Sequence, residues 1–291
     1  MVAQGVYWLA SYPKSGNTWL RLALACLGNA GRLPDLGAPD ELCPNAASLE
    51  WMQGLLDLPV GDMAPREQAL MRTEACRLYG ETADAPAFLK IHDAYDAASF
   101  GSVASAGTVL IVRDPRDVAP SWADHLGITV DDAIALMARP DFAIGLPGRQ
   151  QQPQALQRLG SWSTNVQSWL DRAPRPLLML RYEDLLAEPG ACLTALAGFT
   201  GQVTDDDLIE KTVAATSFQS LQAAEAQSGF KERGRRQRTF FRQGRAGAWR
   251  QGISAKQADR LWTDHHEVMT QLGYGADGTL SDAPEHSLPT G

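Results

Sequence analysis

Residues Ser11 to Trp19 read S-Y-P-K-S-G-N-T-W. A glycine-containing loop that opens a helix turns several backbone N–H groups and the positive end of the helix dipole toward one place, and Lys14 adds a full charge there. Such a loop is a cradle for a phosphate or similar anion. It is not the nucleotide-binding sequence G-x-x-x-x-G-K-[ST], because the lysine precedes the glycine and the loop is shorter. A second concentration of charge runs from Lys231 to Arg250, where Lys231, Arg233, Arg235, Arg236, Arg238, Arg242, Arg245 and Arg250 stand against a single acid, Glu232. On a chain of net charge −8, that strip is either the seat of a local anionic ligand or a solvated charged loop. A third feature is F-L-K-I-H at Phe88–His92, which sets a lysine and a histidine two residues apart at a strand end and so on one face.

The elements that position these residues follow from hydrophobic periodicity. Val6–Ser11 is a short apolar run leading into the turn-forming Tyr12–Gly16, and Thr18–Gly28 then places Leu20, Leu24 and Leu27 on one helical face. Ala87–Ile91, Thr108–Val112 and Leu177–Leu180 are further short apolar runs, each followed by polar residues and a helix-like stretch, the pattern of buried parallel strands. The alternation predicts an α/β fold of three layers, a P-loop-like parallel sheet with helices on both faces, whose ligands gather at the carboxyl ends of the strands. Residues 1–274 are expected to form one domain. Within it, Ala30–Ala85, broken by Pro34, Pro39, Pro44, Pro59 and Pro65, reads as an insertion over the sheet edge. Arg139–Gly160 has the composition of a lid loop, with Phe142, Ile144 and Leu146 beside Gly145, Pro147 and Gly148. Residues 275–291 read as a flexible tail.

Four segments in order carry a resemblance to a known family. Y-P-K-S-G-N-T-W resembles the 5′-phosphosulfate loop of the cytosolic sulfotransferases that use 3′-phosphoadenosine 5′-phosphosulfate (PAPS), usually Y-P-K-S-G-T-T-W, with Asn17 the only departure. R-D-P-R-D-V-A-P-S after the Thr108–Val112 run matches an arginine, here Arg113, followed eight residues on by a serine, Ser121. R-Y-E-D-L at Arg181–Leu185 resembles Y-E-D-L/M, and F-F-R-Q-G-R-A-G-A-W-R at Phe240–Arg250 resembles F-x-R-K-G-x-x-G-D-W-K. In the last, Arg242, Gly244, Gly247 and Trp249 are kept, while Gln243, Ala248 and Arg250 replace lysine, aspartate and lysine. Losing one cation removes one charge-assisted hydrogen bond, about 1.5–3 kcal/mol, for which Arg245 or Arg238 is placed to compensate.

The resemblance implies transfer of the sulfuryl group of PAPS to a hydroxyl or similar nucleophile of a small-molecule acceptor, releasing 3′-phosphoadenosine 5′-phosphate (PAP). It gives Lys14, Ser15, Gly16, Asn17 and Thr18 to the phosphosulfate, and Arg113, Ser121, Arg242, Gln243 and Gly244 to the 3′-phosphate. Trp19 and Phe218, the latter in A-T-S-F, would sandwich adenine, with Tyr182 and Thr216 nearby; core packing is the competing account for both rings. K-I-H resembles the family's K-T-H, which makes His92 the general base and Lys90 a helper at the sulfate. Lys14 would neutralise the leaving oxygen, restrained by Ser121 until the acceptor is present. The chemistry agrees, since in-line transfer relies on positioning and electrostatics, an acceptor hydroxyl must lose its proton, and a histidine is still largely neutral at physiological pH. His125, His265, His266 and His286 lack such context, and Asp114, Asp117, Glu183 and Asp184 read as loop-orienting and helix-capping residues.

Composition sets outer bounds. A hydrophobic fraction of 44% and a charged fraction of 21% are those of a folded chain, and the negative charge argues against coating nucleic acid or anionic membrane. Cys26, Cys43, Cys76 and Cys192 are scattered, which predicts reduced structural thiols and no metal. No apolar run reaches the ~18 residues of a membrane span and no leader is visible, so a cytoplasmic monomer or homodimer is expected. A P-loop kinase needs the Walker lysine order and a magnesium-binding aspartate, and a non-catalytic nucleotide binder need not keep Lys14, Lys90 and His92 together. The acceptor stays open among phenols, alcohols, sugars and secondary metabolites such as glycopeptide antibiotics.

Overall fold

The apolar run Val6–Ser11 forms β1, all six of its residues buried, as a strand covered on both faces requires. In the computed structural model, which describes residues 5–36, 43–145, 154–230, 232–233, 239–241 and 244–282, the chain continues through α1 (Asn17–Gly28), α2 (Leu49–Leu56), α3 (Pro65–Thr82), β2 (Ala87–Ile91), α4 (Ala97–Phe100), β3 (Ser105–Val112), α5 (Pro115–Leu126) and α6 (Val130–Met137). It then forms β4 (Ala143–Ile144), β5 (Gln157–Arg158), α7 (Trp162–Arg172), β6 (Leu177–Arg181), α8 (Tyr182–Ala187), α9 (Pro189–Thr200), α10 (Asp206–Ala215), α11 (Phe218–Ser228), α12 (Trp249–Gly252) and α13 (Ala255–Gln271). The central sheet has the order β2-β1-β3-β6, and every pairing in it is parallel.

Alternate residues of each strand feed two cores. Val6, Trp8, Ala10, Leu110 and Met179 pack with α5, α7 and α13 through Trp122, Trp169 and Met269. Tyr7, Leu9, Val109, Ile111 and Leu180 pack with α1 and α9 through Leu20, Leu24, Leu193 and Leu196. The sheet is thus the middle of three layers, as the periodicity predicted. Strand β3 starts at Ser105 rather than Thr108, because Ser105, Ala106 and Gly107 carry no apolar signal yet continue the ladder with β1; the Trp8 indole donates to Ser105 Oγ at 2.7 Å.

The region before β2 lies along the sheet edge. Ala46 N–H donates to the Lys90 carbonyl at 3.0 Å, and Lys90 N–H to the Pro44 carbonyl at 2.9 Å. Arg72 of α3 donates to the Ala46 carbonyl and pairs at 2.6 Å with Asp93, just past β2. Both side chains are buried, and Asp93 also accepts from Arg158 N–H at 2.8 Å. Within the expected lid, β4 and β5 pair antiparallel, and Phe142 and Ile144 pack on the core; Leu146, Pro147 and Gly148 lie outside the described residues. The start of the expected tail is tied down: Gly275 N–H bonds the Thr279 carbonyl, Arg116 donates to the Gly275 and Ala276 carbonyls, and Arg181 to that of Ser281. Buried arginines needing acceptors make this segment part of the fold. All four cysteines are buried, and among the described residues no helix is long and apolar enough to cross a membrane.

Removing one partner of a buried ion pair strands the other charge. Arg72→Leu should therefore lower unfolding stability by about 3–5 kcal/mol in urea titration, and a loss below about 1 kcal/mol would show that water replaces the guanidinium at Asp93.

Candidate active site

The loop after β1 is held in a conformation that few residues adopt. Lys14 has φ +69° and Gly16 φ +106°, both left-handed. A Cβ on Gly16 would lie 2.7 Å from the Tyr182 ring, so only glycine lets the start of α8 close over the loop. Helix α1 starts without a side-chain cap and without an acidic residue in its first turn, which leaves its N–H groups and dipole uncompensated. Ser15 Oγ is buried without a hydrogen-bond partner. The side chain of Asn17 takes a role within the protein. It points inward and donates to the Leu9 carbonyl at 2.9 Å and Ser11 Oγ at 3.2 Å, bracing β1 against α1, because an amide can supply both donors to one buried corner.

His92 follows β2 and sits beside this loop. Its Nδ1 lies 2.8 Å from the Ser11 carbonyl oxygen and 3.2 Å from Ser11 Oγ. A carbonyl only accepts, so Nδ1 carries the proton and Nε2 the lone pair. The backbone is fixed as well: buried Asn165 of α7 donates to the His92 carbonyl at 2.9 Å. Burial and the Lys90 cation push His92 down to about 3, against the Ser11 bond and Glu232. It is neutral in the free protein at any physiological pH.

Positive charge converges here and is answered by Glu232, with Asp124 acting on Lys14 as well. Glu232 accepts from Thr18 Oγ1 at 2.9 Å and Arg21 Nη1 at 2.5 Å, and lies 3.5 Å from Lys90 Nζ. Burial disfavours its ionisation, but Arg21, Lys90 and the bond from Thr18 outweigh that and hold it well below the usual carboxylate range. Lys14 Nζ stands over the Phe240 ring at 4.4 Å, and among the described residues Ser121 makes no hydrogen bond to Lys14. Burial lowers Lys14 to about 8, with Glu232 opposing and Lys90 and Arg113 adding to the shift. Arg21 was not marked as a site residue, although its position one turn after Thr18 puts it on the cradle side of α1. Glu232 was visible as the lone acid of the basic strip, yet nothing in sequence ties residue 232 to residue 18.

Arg113 follows β3. Its guanidinium lies 4.3 Å over the Tyr182 ring and donates to the Lys14 and Arg245 carbonyls at 3.2 and 3.4 Å, while its Nε is buried without a partner. Trp19 and Phe218 pack beside the same cluster of Leu22, Leu221 and Phe241. The Trp19 indole donates to the Thr216 carbonyl at 2.8 Å. Thr216 itself is fully buried and its hydroxyl donates to Thr212, so it acts through that carbonyl rather than as a side-chain contact. Gly244 is packed directly under Phe218, where a Cβ would collide with the ring. Arg242, Gln243, Lys231, Arg235, Arg236 and Arg238 lie outside the described residues. Arg250 faces away from the cradle, stacking on Trp249 and donating to Gly278. The acids read as structural are so: Asp114 caps α5, Asp184 pairs with Arg181, and Glu183 accepts from Asp114 N–H and Tyr274 OH. His265 is buried against Trp162 and bonded to Ser163, and His286 lies outside the described residues.

Arg21, Lys90 and Lys14 around one carboxylate make a site that favours a second anion. Glu232→Gln should lower the melting temperature of the free protein, since Arg21 and Lys90 lose their counter-ion. It should also enlarge the rise in melting temperature produced by inorganic phosphate or sulfate. A phosphate response equal to that of the wild type would show that Glu232 does not compete for the cradle.

A family model described as "Sulfotransferase domain" matches residues 5–273. Cytosolic sulfotransferase 16 of Arabidopsis thaliana is 26% identical over 275 residues, spanning 87% of this chain and 72% of its own length. Human sulfotransferase 2A1 is 24% identical over 220 residues, 73% of this chain and 65% of its own. Among solved structures, retinol dehydratase in complex with androsterone and inactive cofactor PAP superposes with a TM-score of 0.59 at 18% identity, covering 90% of this chain and 80% of that one. A mouse sulfotransferase complexed with PAP gives 0.57 at 19% identity, with 90% and 85% covered. At such identities the structures testify to the fold, and the fold, the cradle and the family match over nearly the whole chain agree: this protein belongs to the sulfotransferase family.

Proposed function

We propose that this protein moves the sulfuryl group of PAPS onto a hydroxyl or similar nucleophile of a small-molecule acceptor, with His92 as the general base. The observation that carries the reading is the 2.8 Å contact of His92 Nδ1 with the Ser11 carbonyl, which leaves the basic lone pair on Nε2 beside Lys90 and the anion cradle. The residues present fit the donor. The uncapped start of α1, the unpartnered Ser15 Oγ and the Thr18 hydroxyl suit the 5′ end; Arg113, with its unpartnered Nε, suits the 3′-phosphate; Trp19 and Phe218 suit adenine.

PAPS, when bound, supplies the activated sulfuryl group. His92 then takes the acceptor's proton on Nε2 while the Ser11 carbonyl stabilises the resulting imidazolium through Nδ1–H. Lys14 and Lys90 offset charge gathering on the departing oxygen and the sulfuryl oxygens, the part that metal ions play in phosphoryl transfer. An anion in the cradle opposes the field of Lys90 at His92, which is the second cause of its lowered pKa after burial. Acceptor choice is assigned to segments 30–85 and 139–160, beside the end of β2.

Calorimetry with PAP and with ATP plus magnesium tests the donor. PAP should bind in the micromolar range and ATP at least about tenfold more weakly, a difference of about 1.4 kcal/mol. Lys14 is cationic below about 8, so PAP affinity should fall as the pH rises above that value. Equal binding of the two nucleotides, or a requirement for magnesium, would overturn the donor assignment.

His92→Ala should reduce turnover by about 10²–10⁴-fold with little change in PAP affinity. Because the free His92 titrates at about 3, kcat/KM of the wild type should show no acid limb from this residue between about pH 5 and 7. Near-normal turnover in the variant would place the base elsewhere.

A further inference from the structure

The loop from Gly244 to Trp249 is fastened to α5 by one side chain. Asp117, in the first turn of α5 and 2% exposed, accepts from Gly247 N–H on one carboxylate oxygen and from Trp249 N–H on the other, both at 2.7 Å. Helix capping does not account for it, because Asp114 already receives Arg116 N–H at 2.9 Å as the cap of α5. Both oxygens of Asp117 are therefore given to a segment about 130 residues further along the chain. Gly247 meets it in a left-handed conformation, φ +69°, and Trp249 is clamped between Arg116 at 4.3 Å and Arg250 at 4.9 Å.

A carboxylate one turn from Arg113 is a poor neighbour for an anion unless its charge is engaged elsewhere. Here two backbone N–H groups engage it, and the loop they belong to turns the Arg245 carbonyl toward Arg113 Nη2 at 3.4 Å. With the Lys14 carbonyl at 3.2 Å and the Tyr182 ring at 4.3 Å, that carbonyl fixes the guanidinium plane before any ligand arrives. Preorganisation of this kind appears in ligand affinity and not in the chemical step.

We propose that Asp117 is a positioning residue for recognition of the donor's 3′-phosphate: it holds the Gly244–Trp249 loop against Arg113 so that the guanidinium is preset for that group. The proposal rests on the donor reading above and extends it to a residue whose two carboxylate oxygens are both taken by backbone N–H groups.

The test compares PAP with AMP, which lacks the 3′-phosphate, by calorimetry on the wild type, Asp117→Ala and Asp117→Asn. Wild type should prefer PAP strongly. Asp117→Ala should weaken PAP by about ten- to a hundredfold, as expected for two lost charge-assisted bonds, and AMP by less than about threefold. Asp117→Asn keeps one accepting oxygen and should fall between the two, and it carries the test if the alanine variant does not fold. At saturating PAPS both variants should keep kcat within about threefold of wild type. A parallel loss of PAP and AMP affinity, or a loss of neither, would overturn the positioning role; a wild type that does not distinguish PAP from AMP would overturn the donor reading itself.

Discussion

A parallel sheet delivers all of its strand ends to one edge, and here the register aligns them to within a residue or two. Ala10 pairs with Ile91, Ser11 with Ile111 and Val112 with Arg181. The anion loop, His92, Arg113 and Tyr182 each begin where one of these strands stops. Because alternate residues of β1 and β3 are locked into opposite cores, a slip by one position would turn every one of these side chains the wrong way. The site inherits its precision from that packing. Ser11 shows it most directly, since a backbone carbonyl at the end of β1 selects the tautomer of a histidine after β2.

Electrostatics sets the second condition. Lys14, Lys90, Arg21 and Arg113 lie near the same loop, and burial disfavours the charged form of Lys14. In the free protein Glu232 and, to a smaller extent, Asp124 oppose the burial that lowers Lys14 to about 8. The cations beside the loop are held in place by Glu232 and by their backbone partners.

A third layer of organisation secures loops through buried carboxylates. Asp117 takes two N–H groups of the Gly244–Trp249 loop, Glu225 takes those of Phe240 and Phe241, and Glu183 joins the start of α5 to Tyr274. Burial pushes Glu183 up to about 7, so its place rests on hydrogen bonding more than on charge. Irregular segments gain fixed backbone positions this way, because their buried N–H groups need acceptors.

The amino-acid sequence by itself determined the parallel sheet, its four main strands and the turn that opens α1, because these depend on local signals: apolar runs, a turn sequence opening a helix, and residues adjacent to strand ends. Other features became visible only with the chain folded. That Asn17 braces the loop from inside, that Thr216 offers its carbonyl and not its hydroxyl, that Arg21 and Glu232 form the charged floor of the crevice, and that residues 275–282 are docked rather than frayed all depend on partners distant in sequence. Side-chain direction and long-range pairing are settled by packing and by the need of buried polar groups for partners, and neither leaves a periodic trace along the chain.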